Sequence, residues 1–142
     1  MTKLKELWNK IHFLPVKGAS HWIIVLGIVF AANIAALFIS RALIGQTMTM
    51  ANAGAFVGLS LAIAVVSCLG YFGFEVFSLM VLAGNLIGII YLFFIILTNA
   101  SQGWSDLTSL IGLFYFVAMG VVFGIMMQVI VLLSTVKLRG RK

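Results

Sequence analysis

Charged residues, cysteine and proline are all scarce in this sequence. Only 8% of its 142 residues are charged, and it contains one proline and one cysteine. An ordinary soluble domain is about 25% charged and about 45–50% apolar, whereas this chain is 63% hydrophobic and has a mean hydropathy of +1.23. A soluble fold of this size buries only about two-thirds of its surface. The composition therefore excludes an ordinary soluble domain and predicts an integral membrane protein.

Few side chains are suited to acid–base, nucleophilic or metal chemistry. The three acidic residues and two histidines show no recognisable serine–histidine–acid set. His12 and His21 come at or before the start of the first apolar run, so no helix interior supplies an axial haem ligand. Met48 and Met50 offer only two soft ligands for Cu(I), and the lone Cys68 excludes an intramolecular disulfide. We predict that the protein is not an enzyme and holds no metal or cofactor.

Positive charge is confined almost entirely to the two ends of the chain. Arg41 is the only basic residue between the terminal groups, which are Lys3, Lys5, Lys10 and Lys17, and Lys137, Arg139, Arg141 and Lys142. Lysine and arginine are enriched on the cytoplasmic side of membrane proteins, so both termini are predicted to be cytoplasmic. Anionic headgroups attract such residues by roughly 1 kcal/mol each. We therefore predict contact with anionic lipid headgroups and none with nucleic acid.

The apolar residues form four runs, each long enough to cross a bilayer, which takes about 20 residues in a helix. They predict a transmembrane domain over residues 18–136, with helices at about 21–44, 53–72, 76–98 and 106–135. The first run is much longer than the roughly 7–15-residue apolar core of a signal peptide. We predict an all-α, multi-pass bundle of four transmembrane helices in the cell (plasma) membrane.

The two ends of the chain are predicted to lie at the membrane surface. In residues 1–17 the apolar residues recur on one helical face, which is typical of an amphipathic helix in the interface plane. Residues 137–142 form a basic cytoplasmic tail. Tryptophan is enriched at the headgroup level. The three tryptophans near predicted boundaries are therefore predicted interface anchors: Trp8, Trp22 and Trp104.

Small residues recur at four-residue spacing in every predicted helix. In lipid, such faces let helix backbones approach closely, and van der Waals contact then holds the helices together. The first helix carries Gly27-Ala31-Ala35 and Ala32-Ala36-Ser40. The predicted packing glycines of the other three are Gly54 and Gly58, Gly84 and Gly88, and Gly120 and Gly124. The spacing does not distinguish contacts within the chain from contacts with another protein.

Three amides, Asn33, Asn85 and Gln128, fall within the predicted spans. Counting about 1.5 Å per residue from the helix ends places all three near mid-depth. One interpretation is an interhelical hydrogen-bond cluster, whose members contribute about 0.6 kcal/mol each. The other is a polar site that lines a pathway or a small pocket.

Arg41 lies near the far end of the first predicted helix, away from all other basic residues. Its stem could lie in lipid while its guanidinium reaches the headgroups. Alternatively, it forms an ion pair in the outer leaflet with Asp106, the only acid predicted on that side. The sequence leaves both interpretations open.

These features favour a protein that acts without catalysis. The leading interpretation is a small polytopic membrane protein that acts through lateral helix contacts, as an accessory, assembly or immunity-type subunit. Its partner would be another membrane protein or a second copy of itself. The alternative is an oligomeric channel or small transporter, with Asn33, Asn85 and Gln128 along its path.

Overall fold

The computed structural model describes residues 18, 20–98 and 105–139, with side chains in the last range described from 107 to 134. Its helices are α1 (His21–Ile44), α2 (Met50–Ser67), α3 (Glu75–Thr98) and α4 (Ser105–Arg139), and a 3₁₀ turn (Cys68–Phe72) continues α2. The described residues include no strand. Within these described ranges, four helices are long and apolar enough to cross a membrane. The predicted all-α class and its four apolar helices are confirmed, and they fit a multi-pass membrane protein.

Some predicted features fall on residues that the structure does not describe. The interfacial helix of residues 1–17 and the anchors Trp8 and Trp104 lie outside the described residues. Of the tail at 137–142, only the backbone as far as Arg139 is described, as the last residues of α4. These features stay predictions.

Local backbone chemistry sets the helix ends that the structure describes. Gly45 ends α1 with φ +72°, and Gly73 ends the 3₁₀ turn with φ +100°. Glycine occupies this left-handed region without the steric cost of a Cβ atom. Thr49 caps α2, because its hydroxyl oxygen accepts a hydrogen bond from the Asn52 backbone N–H at 3.2 Å. This cap makes α2 begin at Met50, three residues before the predicted start at 53.

Neighbouring helices run in opposite directions. We use "loop end" for the end of the bundle that holds residues 45–49, and "turn end" for the end that holds the 3₁₀ turn. Helices α1, α2 and α3 contact one another, whereas α4 packs mainly along α3. The first three helices therefore share an interior that α4 touches from one side.

Two apolar clusters fill that interior at different depths. The loop-end cluster consists of Leu37, Phe56, Leu92 and Leu113, with Ile89 and Val117 among the residues packed against it. The turn-end cluster consists of Val29, Ile63 and Ala64, with Leu82 and Val117 among the residues packed against it. The interval between these clusters contains the candidate functional site.

Candidate functional site

Three polar side chains on three helices occupy the interval between the two apolar clusters. On each side, every one of them lies about one helical turn from a residue that belongs to a cluster or packs against it. Asn33 of α1 is four residues from both Val29 and Leu37. Ser60 of α2 is likewise flanked by Phe56 and Ala64, and Asn85 of α3 by Leu82 and Ile89. We call Asn33, Ser60 and Asn85 the polar layer.

The polar layer is buried, and its oxygens lack protein partners. Asn33 and Ser60 are 0% exposed and Asn85 is 5% exposed. The Asn33 Nδ2 donates a hydrogen bond to the Val29 carbonyl oxygen at 2.9 Å. Among the described residues, Asn33 Oδ1, Ser60 Oγ and Asn85 Oδ1 have no hydrogen-bond partner. A buried polar atom without a partner costs about 1–3 kcal/mol, so these atoms mark a site where another hydrogen-bonding group is needed.

The structure brings Asn33 and Asn85 to this layer but separates Gln128 from it, which corrects the expected cluster of three amides. Gln128 Oε1 accepts a hydrogen bond from the Phe77 backbone N–H at 3.3 Å. Phe77 lies in the first turn of α3, where backbone N–H groups have no partner within their helix. It is eight residues before Asn85, or about 12 Å along the axis. Gln128 therefore caps α3 near the turn end.

Ser60 takes the place in the layer that the sequence predicted for Gln128. A serine in an apolar helix gives no strong signal, because its hydroxyl commonly bonds a carbonyl of its own helix. Ser40 does so, donating to the Leu37 carbonyl oxygen at 2.7 Å. The only available signal was that Ser60 shares a helical face with Phe56 and Ala64, four residues to either side.

Arg41 is half-buried near the loop end and lies over an aromatic ring. Its Cζ is 5.8 Å from the centroid of the Phe56 ring. A guanidinium within about 6 Å of a ring face is attracted by the ring quadrupole. The predicted partner Asp106 lies in α4, but its side chain is outside the described residues. The Arg41–Asp106 pair stays a prediction.

Glycines bring the α3 and α4 backbones into direct contact. A Cβ atom on Gly84 would lie 2.5 Å from the Phe116 carbonyl oxygen and 3.0 Å from the Gly120 Cα. Cβ atoms on Gly88, Gly120 and Gly124 would each come within 3.0 Å of an atom of the facing helix. Gly112, which the spacing did not single out, would clash with the Tyr91 ring. Four of the six predicted packing glycines therefore pack within this chain.

Gly54 and Gly58 have no such contact, and a Cβ atom on either would meet nothing within 4 Å. Both are exposed on the side of α2 that faces away from the bundle, in line with Ala62 at the same spacing. The outer side of α1 carries a similar exposed row of Gly27, Ala31 and Ala35, whereas Ala36 and Ser40 of its other row are buried. We call Gly54, Gly58 and Ala62 the α2 outer stripe, and Gly27, Ala31 and Ala35 the α1 outer stripe.

Trp22, a predicted interface anchor, is packed inside the bundle at the turn end. Its side chain is 2% exposed and packs against Gly70 in the 3₁₀ turn. The ring fits there because Gly70 has no side chain. The Gly70 N–H donates a hydrogen bond to Ser78 Oγ at 2.6 Å. Trp22 therefore holds α1 against the turn end of the bundle.

An apolar groove of about 370 Å³ lies along the outer side of the α3–α4 contact. Gly84 and Gly120 are in its lining, together with larger residues such as Ile87, Tyr115 and Phe123. Because its lining is almost entirely apolar, the groove offers hydrophobic contact rather than directed polar contacts.

No family model matches the chain, and neither a curated protein nor a solved structure is similar enough to match it. The described residues contain no group of three or more His, Cys, Asp or Glu side chains that could hold a metal ion. The functional interpretation therefore depends on the polar layer and the two outer stripes.

Proposed function

We propose that this protein acts by lateral helix contact within the membrane, as an accessory, assembly or immunity-type subunit. The observation that carries the proposal is the outward position of Gly54 and Gly58, which are exposed and where an added Cβ would meet nothing within 4 Å. Glycine inside a helix costs roughly 0.5–1 kcal/mol relative to alanine. Contact with the facing helix offsets this cost at Gly84 and Gly120. At Gly54 and Gly58 an external helix would supply the corresponding contact.

The α1 outer stripe supports the same proposal. Exposed positions elsewhere on the bundle carry large apolar side chains, for example Leu86, Ile90 and Phe94 on α3. Two rows of small residues on the outer sides of α1 and α2 contrast with that surface. We therefore assign these two stripes to contact with transmembrane helices of a partner protein or of a second copy.

We expect the double variant Gly54→Leu/Gly58→Leu to lose this association. Two bulky side chains on the α2 outer stripe would keep a partner helix from close approach. The measurement is recovery of a stoichiometric partner, or of a homo-oligomer, after purification in mild detergent. We expect at least a tenfold loss relative to the native protein.

The matched control is Val57→Leu, an exposed α2 position outside the stripe, which should leave association unchanged. Neither change should unfold the monomer, because added atoms at Gly54 and Gly58 meet open space. A native protein that purifies as a lone monomer would contradict the proposal, as would undiminished association of the double variant.

We further propose that both termini are cytoplasmic and that the host is the cell (plasma) membrane. Support comes from eight of the nine basic residues, which lie at the chain ends, and from the four candidate spans of the described chain, an even number that would return it to its starting side. A periplasmic-type phosphatase fused after Lys142 should be inactive, whereas one inserted in the 45–49 loop should be active. The reverse pattern would show the opposite orientation.

The alternative function, an oligomeric channel or small transporter, is favoured by one observation. The polar layer places three oxygens without protein partners in the interior of the described bundle. The apolar clusters on both sides would have to open for a solute to pass. Ion or solute uptake by liposomes that contain the purified protein would support this function, and its absence across a panel of ions would exclude a channel.

A further inference from the structure

The three residues of the polar layer are buried at the same level of the bundle interior, between the two apolar clusters. Helices α1, α2 and α3 contact one another, and each contributes one buried polar residue between the same two apolar clusters. Residues of one cluster pack together across the helices, so residues one turn beyond them on the same faces lie at a common depth. Asn33, Ser60 and Asn85 therefore lie at a common depth in the interior of the described bundle.

The two amide oxygens need donors, and the Ser60 hydroxyl needs a partner to which it can donate; the described residues supply neither. Asn33 uses its Nδ2 on the Val29 carbonyl oxygen, which orients the amide with Oδ1 left over. Asn85 Oδ1 and Ser60 Oγ are also without partners among the described residues. Hydrocarbon cannot donate hydrogen bonds, and leaving a buried acceptor unpaired costs more than a typical hydrogen bond contributes.

We infer that one ordered water molecule occupies the polar layer and bridges Asn33, Ser60 and Asn85. A water molecule has two O–H donors, one for Asn33 Oδ1 and one for Asn85 Oδ1. Its own oxygen accepts the proton of the Ser60 hydroxyl. The water molecule thus makes three hydrogen bonds, which is the usual number for a buried water.

An alkali or alkaline-earth cation fits the same atoms poorly. Hard cations such as Ca²⁺ take six to eight oxygen ligands in proteins, and Mg²⁺ takes six. The polar layer supplies three uncharged oxygens, and none of its residues is a carboxylate to balance the charge. A positive charge near the bilayer centre carries a large cost without such compensation. Water satisfies these oxygens without introducing a charge.

The bound water joins three helices at one point and stays separate from bulk water. The loop-end cluster closes the interior on one side, and the turn-end cluster closes it on the other. The water therefore acts as a structural bridge that fixes α1 and α2 against α3. This inference is independent of the lateral-contact proposal, since it concerns the interior of a single chain.

Water-edited solid-state NMR on the labelled protein in liposomes tests the inference directly. We expect water protons to transfer magnetisation to the Asn33 and Asn85 carboxamides but not to Leu37, which is 1% exposed in the adjacent apolar cluster. Asn85→Leu should reduce the Asn33 transfer at least severalfold. Ser40→Ala is the matched control, because its hydroxyl already bonds a backbone carbonyl, and it should leave the transfer unchanged.

Unfolding equilibria provide a second readout. Asn33→Leu, Ser60→Ala and Asn85→Leu should each raise the unfolding equilibrium constant about tenfold, because each leaves the other members incompletely bonded. The triple variant should raise it by much less than the product of the three, since it removes every group that needs the water. A triple variant whose unfolding equilibrium constant rises by the full product of the three single effects would overturn the inference. So would an Asn33 carboxamide that receives no magnetisation from water, or a sodium-dependent chemical shift at Asn33 or Asn85.

Discussion

Gly84→Leu should destabilise the folded bundle by about 3 kcal/mol, near the upper end of what overpacking a tight contact usually costs. Even a single added carbon would lie 2.5 Å from the Phe116 carbonyl oxygen and 3.0 Å from the Gly120 Cα. Both obstacles are backbone atoms, so a rotamer change cannot relieve the clash. The helices must move apart, and α4 packs mainly along α3. The loss should be measurable by reversible unfolding in mixed detergent micelles.

Gly58→Leu is the matched control for this prediction. It makes the same chemical change in an identical small-xxx-small motif, but at a position with nothing within 4 Å of the added Cβ. The monomer should lose no stability, because leucine has a higher helix propensity than glycine by nearly 1 kcal/mol. Equal losses in both variants would show that the α3–α4 contact is not the origin of the effect.

This pair of glycines shows what helical spacing can and cannot predict. Gly54-Gly58 and Gly84-Gly88 have the same motif, and the spacing correctly assigns each pair to one helical face. It contains no information on which face meets another helix, because in lipid both large and small residues are compatible with an outer surface. Which of the two faces meets another helix depends on packing between residues that are far apart in the sequence. The apolar runs, by contrast, predict the helices closely, since each span needs about 20 apolar residues.

The depths of the amides were predictable only where the helix length matches the membrane. Helices α1 and α3 have 24 residues each, so counting from their ends places Asn33 and Asn85 near the middle. Helix α4 has 35 residues, and counting from its end places Gln128 too deep. Its actual level is fixed by the glycine contacts with α3, which align Gly124 with Phe77. Ser60 gave no signal by itself, since its importance depends on the helices beside it.

Trp22 shows a similar limit at the turn end. A tryptophan at the start of a transmembrane helix is typical of the headgroup belt, and the sequence offers no sign that a glycine 48 residues later will receive its ring. The sequence marks Gly70 only as part of a break between two spans. The structure gives it a second role, because any side chain there would occupy the space of the indole.

Trp22→Ala is expected to cost about 3 kcal/mol, at the lower end of the range for truncating a buried tryptophan. The low end applies because, in the unfolded state, lipid solvates the Trp22 ring nearly as well as the folded protein does. The stability lost on truncation therefore comes mainly from lost packing contacts and from the cavity that is left. The contacts at stake join α1 to the 3₁₀ turn, where Cys68 Sγ also approaches the Trp22 carbonyl oxygen at 3.6 Å. Ile23→Ala, at a neighbouring residue that is 74% exposed, should change stability by less than about 0.5 kcal/mol.

A double-mutant cycle with Gly70→Ala identifies the contact responsible. In the native background the added Cβ would lie 2.5 Å from Trp22 Cζ2, so Gly70→Ala should destabilise the protein by about 1–3 kcal/mol. In the Trp22→Ala background the ring is gone and the same change should cost much less, giving a coupling energy of at least about 1 kcal/mol. The remaining cost would come from Ser78 Oγ, 2.9 Å from the added atom. Additive effects would mean that the ring and Gly70 do not share this space, and Trp22 would then return to the role of a membrane-interface anchor.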